Sequence, residues 1–172
     1  MASLIDELID TLNREDEEYN RLIALSREKT PIIVKGDLEG LAAVTDKEQS
    51  VVSVIQKLEK DRMSSMKDIA EVTNRSADEL KLTDLIELMK GRPEEQKKLR
   101  EVHDRLQQTM KTMTSVNEQN KTLLQNSLDM VQFEMQLLQS MRQAPETADY
   151  GKDAYSTGTI MGSGTKRFDA KQ

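Results

Sequence analysis

The chain holds one histidine, His103, and no cysteine. A nucleophile–base pair needs a histidine beside a Ser or Cys. A protein-held zinc needs several His, Cys or carboxylate ligands converging. His103 follows Val102 and is surrounded by Lys, Arg, Glu and Asp, with no second histidine to share a metal. It reads as a surface or seam-edge residue. The strongest charge run, Glu15-Asp16-Glu17-Glu18, points all round a helix. It is expected to be a solvated face rather than a focused site. Gly158, Gly162 and Gly164 follow no expected strand, so they form no phosphate-cradling loop. The chain is expected not to be an enzyme and to carry no cofactor or metal.

The residues with the most marked spacing are apolar. In the last third of the chain, Val116, Leu124, Val131, Leu138 and Met141 continue a broken three-four rhythm, and Leu123, Leu128, Met130, Phe133, Met135 and Leu137 widen it. Five of the ten methionines fall between Met110 and Met141. Core packing accounts for Met110 and Met113. For 123–141 two readings stand, core packing and an exposed groove, and the excess width favours the groove. Methionine suits such a surface because it adapts to variable apolar partners. The candidate partner-binding residues are Val116, Leu123, Leu124, Leu128, Val131, Met135, Leu138 and Met141, receiving an amphipathic helix through anchors three and four residues apart.

The elements that carry these residues follow from the same periodicity. Ser3, with Asp6 three residues on, is expected to cap a first helix whose stripe holds Leu4, Leu8, Leu12, Tyr19, Leu22, Ile23 and Ile33. Pro31 is expected to kink it near its end. Gly36 suits a left-handed C-cap and Asp37 an N-cap. A second helix of about 36 residues, ~54 Å long, then runs through Leu38, Leu41, Val44, Val51, Ile55, Leu58, Met66, Ile69 and Val72. So short a connection forces an antiparallel hairpin. Thr83 is expected to cap a short helix, Asp84–Met89, offering Leu85, Ile86 and Met89, with Ser76 and Glu79 as a competing capping box. Gly91 stops this segment, and Pro93 opens the longest helix, about 94–142. Asn120 sits in its seam, where a polar residue can fix register at some cost in stability. The fold class is all-α: an elongated antiparallel bundle of three long helices with a short linking helix over 1–142.

Residues 143–172 form a glycine-rich tail, which contains four of the seven glycines and three of the five aromatics. It cannot bury enough apolar surface to fold alone. Its Tyr155, Ile160, Met161 and Phe168 are nonetheless apolar enough to make contacts. A free terminus, a lid on the bundle and a docking signal all fit. A net charge of -6 argues against nucleic acid. The N-terminus has no secretory pattern, and no run reaches the roughly 18 apolar residues of a membrane span. A cytoplasmic protein without direct membrane insertion is expected.

Five segments in order resemble one family: KGDLEGL (35–41), KEQ (47–49), TDLIELM (83–89), PEEQKKLREVHDRL (93–106) and NEQNKTLLQNSLDMVQFEMQLL (117–138). The tail adds Tyr150-Gly151 and RFDAK (167–171). Together they look like the FlgN-type flagellar export chaperones, over the full length. The resemblance implies a cytoplasmic chaperone for hook-associated proteins of the hook–filament junction. It would bind their helical termini, prevent premature assembly, and deliver them to the membrane-embedded gate of the flagellar type III export system. The family's client-binding part is C-terminal, which places it on the stripe described above. Tyr155 or Phe168 would then touch client or gate. The competing reading is a structural or adaptor coiled coil that forms a homo-oligomer through the same stripe.

Overall fold

The computed structural model describes residues 2–76 and 80–143. Four α-helices account for most of them: α1 (Ala2–Lys35), α2 (Leu38–Val72), α3 (Leu82–Leu88) and α4 (Pro93–Gln143), with a 3-10 turn, Met89–Gly91, between α3 and α4. There is no strand among the described residues. The chain divides into two compact units, Met1–Phe133 and Glu134–Gln172. The boundary falls inside α4.

In the first unit, ion and hydrogen-bond partners give the directions of the helices. Glu15 pairs with Arg62, Tyr19 with Glu59, and Ser26 and Lys29 with Glu48, so α1 and α2 run antiparallel. Asp16 pairs with Arg105 and Thr109, and Ser26 and Thr30 with Asn120, so α1 and α4 run parallel.

The hairpin is made by two residues that each serve a helix end. Gly36 has φ +67°, a left-handed conformation costly for any residue with a Cβ. Its N–H donates to Ile33 O at 3.0 Å and that of Asp37 to Ile32 O at 3.2 Å, the Schellman pairing that satisfies the last carbonyls of α1. Asp37 then caps α2, accepting from Gly40 N–H at 2.9 Å.

Other expected ends move. α1 already includes Ala2, so Ser3 lies inside the helix and does not cap it. At the other end of α1 the helix continues through Pro31 to Lys35, as expected of a helix that carries on beyond the proline. α3 begins at Leu82 rather than after Thr83. Its start is closed by the Asp84 carboxylate, which accepts from the Lys81 N–H at 3.1 Å. The alternative box at Ser76 and Glu79 falls partly outside the described residues. Pro93 opens α4, where its missing N–H costs nothing.

Two apolar clusters hold the unit. The larger gathers Ile5, Leu8 and Leu12 of α1 with Ile69 of α2, Leu85 of α3 and Leu99 of α4. Ile86 and Met89 join it, so the linking segment is a plug under the three long helices. The smaller is Leu22, Ile23, Ile55 and Met113. Leu38 and Val72, counted in the stripe of α2 by periodicity, are exposed at its two ends. Met110, expected in the core, is 41% exposed. The seam-facing line on α4 runs Leu99, Val102, Leu106, Thr109, Met113, Val116, Asn120, an unbroken three-four rhythm that uses Thr109 in place of Met110.

Candidate functional site

A polar layer separates the two clusters, and it decides what chemistry the bundle interior can do. The line of α1 that faces α2 runs Leu8, Leu12, Glu15, Tyr19, Leu22, Ser26, and the line that faces α4 runs Leu12, Asp16, Ile23, Thr30. Glu15 and Asp16 therefore each fall in a seam. They are 1% and 5% exposed, not the solvated face expected of the charge run. Glu15 takes the Arg62 Nε–H at 3.0 Å. Asp16 accepts from Arg105 Nε at 3.0 Å and from the Thr109 hydroxyl at 2.6 Å, and Arg105 also donates to Asn13 Oδ1. A second polar layer follows the smaller cluster. Asn120 donates to Ser26 O at 2.6 Å and accepts from the Thr30 hydroxyl at 2.7 Å. These groups are saturated with one another, and no buried side-chain N or O lacks a partner among the described residues.

Burial pushes the Glu15 carboxyl above its ordinary value. The charge and hydrogen bond of Arg62 pull it back only in part, and Glu59 pushes it up again. The folded protein therefore holds this proton to higher pH than the unfolded chain does. The resulting stabilisation is present below the ordinary carboxyl value and is lost as pH rises through the folded-state value. At neutral pH the ionised carboxylate is a net burden. Glu15→Gln is expected to raise the melting temperature at pH 7, with the gain shrinking as pH falls toward 4. Arg62, 37% exposed, can turn to water when the charge is gone. A clear loss of stability at pH 7 would show that the ion pair outweighs burial.

His103 is half-buried on α4, with Nδ1 3.0 Å from the adjacent Asp104 carboxylate. Among the described residues no three His, Cys, Asp or Glu side chains gather to hold a metal. The acidic groove of Asp6, Asp10, Asp61 and Asp68 is a negative surface between α1 and α2.

The open chemistry lies on α4. The α1–α4 partners are 89 to 94 residues apart, so the end of α1 at Lys35 is level with residues 124–129. From there to Phe133, α1 no longer runs alongside α4. In the first unit Leu128, Met130, Val131 and Phe133 are 51–65% exposed. In the second, Met135, Leu137, Leu138 and Met141 are 49–66% exposed. Isolated exposed leucines are ordinary, whereas runs of large exposed apolar residues along one helix are uncommon on a monomer's surface. Of the candidate residues read from sequence, Leu128, Val131, Met135, Leu138 and Met141 are in the open set. Leu123 and Leu124 are half-buried. Val116 is buried, because it packs within the length of the hairpin. Met130, Phe133 and Leu137 are equally exposed and were outside the candidate set; the excess stripe width was their signal.

From Val116 the steps to Asn120, Leu124 and Leu128 are all four residues, so the apolar stripe turns away from the line that faces the bundle. Between Leu123 and Met141 only Asp129 and Glu134 are charged. Glutamine, asparagine and serine make up the rest of the polar face. Such a surface buries apolar area without demanding a particular charge pattern of its partner. Tyr155, Ile160, Met161 and Phe168 lie outside the described residues.

A family model described as FlgN protein matches residues 1–157. No curated protein matches the chain. No solved structure matches it. No helix among the described residues is long and apolar enough to cross a membrane.

Proposed function

The chain belongs to the FlgN family of flagellar export chaperones, and from that premise we propose that it binds the helical termini of hook-associated proteins on the exposed apolar face of α4. The family's members are chaperones of flagellum assembly, not enzymes. The observation that carries the proposal is the row Leu128, Val131, Met135, Leu138, exposed in the free protein and spaced to accept one face of a client helix. A subunit that polymerises through its terminal helices cannot do so while those helices are covered. The bound client would then be handed to the membrane-embedded export gate from the cytoplasm.

The energetics suit a carrier. Full burial of one Leu or Met contributes about 1.5–3 kcal/mol. A few anchors reach micromolar affinity once ordering costs are subtracted, which is tight enough to protect and loose enough to release. Hydrogen exchange tests the location directly. A peptide from the C-terminal helix of a hook-associated protein, added to the full chain, should slow exchange of amides between Leu123 and Met141. Amides around Leu8 should not change. Protection appearing elsewhere, or nowhere, would remove the site.

A further inference from the structure

The two polar layers do more than fill the seam. The linking segment, buried through Leu85, Ile86 and Met89, anchors the start of α4, but along the α1–α4 seam the three-four rhythm repeats, and those apolar contacts alone do not single out one register. Sliding α4 by one heptad would bring Leu123 to the place of Val116 and Met130 to the place of Leu123. That slide would draw apolar surface into the hairpin that now lies beyond it. The polar partners oppose it. Val116 would replace Thr109 against the Asp16 carboxylate, and the short, uncharged Thr112 would replace Arg105, so Asp16 would lose its buried hydroxyl donor and its cationic partner. Ser127, with one hydroxyl, would stand where Asn120 now uses both ends of its amide. A buried carboxylate stripped of those partners is far costlier than an apolar mismatch.

We propose that Asp16 and Asn120 are positioning residues that pin α4 to one register on α1 and so keep the apolar residues from Leu128 to Phe133 clear of the hairpin. That this face serves a client rests on the function proposed above; the register itself does not. Polar seam residues have this effect in coiled coils, where one buried Asn selects the register.

The chain has no native cysteine, so two introduced ones can carry spin labels without background. Ala24→Cys on α1 and Lys98→Cys on α4 are both exposed and lie ~25 Å apart along the helix axes at 1.5 Å per residue, so a slide lengthens their separation almost one for one. The otherwise native chain should give one narrow distance. In Asp16→Leu/Thr109→Val/Asn120→Leu, a purely apolar seam, a second population should appear, displaced along the helix by ~10 Å per heptad at 1.5 Å per residue. Asn120→Leu alone should show the same population at lower occupancy. A single unchanged distance in the folded triple variant overturns the proposal. Should the triple variant not fold, an unchanged distance in Asn120→Leu does so. Both readings use the free protein, so a client that binds elsewhere would fail the exchange experiment and leave this result standing.

Discussion

Replacing Leu128, Val131 and Leu138 together by glutamate is expected to weaken binding of a client helix by about 100-fold or more while leaving the fold intact. Each side chain is more than half exposed in the free chain, so the substitutions remove no core contact. Surface changes of this kind usually move stability by about 0.5 kcal/mol or less. In the complex the same three positions would be buried, each contributing up to about 1.5–3 kcal/mol, and ionised carboxylates there would have no partner. Even half the lower figure from each gives about 2 kcal/mol before the charge penalty, and every 1.4 kcal/mol is tenfold. Calorimetric titration with the client peptide, beside a thermal melt of the variant, reads both halves. Full affinity in a folded variant would place the client elsewhere. If the native chain proved oligomeric and the variant monomeric, the stripe would be a self-association seam and the adaptor reading would replace the chaperone surface.

The opposite end of the chain should respond in the opposite way. Leu8 is 0% exposed in the larger cluster, against residues of α2, α3 and α4. Leu8→Ala is expected to lower the unfolding free energy by about 3–5 kcal/mol, the transfer term plus the cavity left behind. A urea titration should show the midpoint falling with little change in slope. Leu38, 77% exposed at the hairpin, is the control. Leu38→Ala should stay within about 0.5 kcal/mol of the native chain. A small loss at Leu8 would mean that the linking segment, which closes the cluster from below, can collapse onto the gap.

The helices themselves were legible because each carries its own signal. The Gly36-Asp37 junction was readable from residue type alone: only glycine takes a positive φ cheaply, and an aspartate just after it can cap. Leu85, Ile86 and Met89 were correctly expected to be apolar contacts of the linking segment, and they are buried. The start of that segment was misplaced because a cap can be a carboxylate reaching back from Asp84 to a backbone N–H, which leaves no capping residue to see at Lys81. The charge run was misread for a related reason. Taken as four consecutive charges, 15–18 looks solvated. Taken at steps of three and four, Glu15 continues the line of Leu8 and Leu12, and Asp16 continues that of Ile9 and Leu12. Composition averages over the helix circumference and hides that difference.

The sequence by itself determined the class, the hairpin, the seam and the family. All of these depend on short-range pattern: periodicity, caps, and the order of a few segments. Only the tertiary structure decided which part of the apolar stripe is covered. Val116 and Leu128 are both apolar residues of one helix, and nothing local separates them. Val116 is buried and Leu128 open because α1 stops at Lys35, and because Asp16 and Asn120 meet their partners at an offset of about ninety residues. Length and register are relations between helices. They depend on where each partner ends, which no single window of sequence contains.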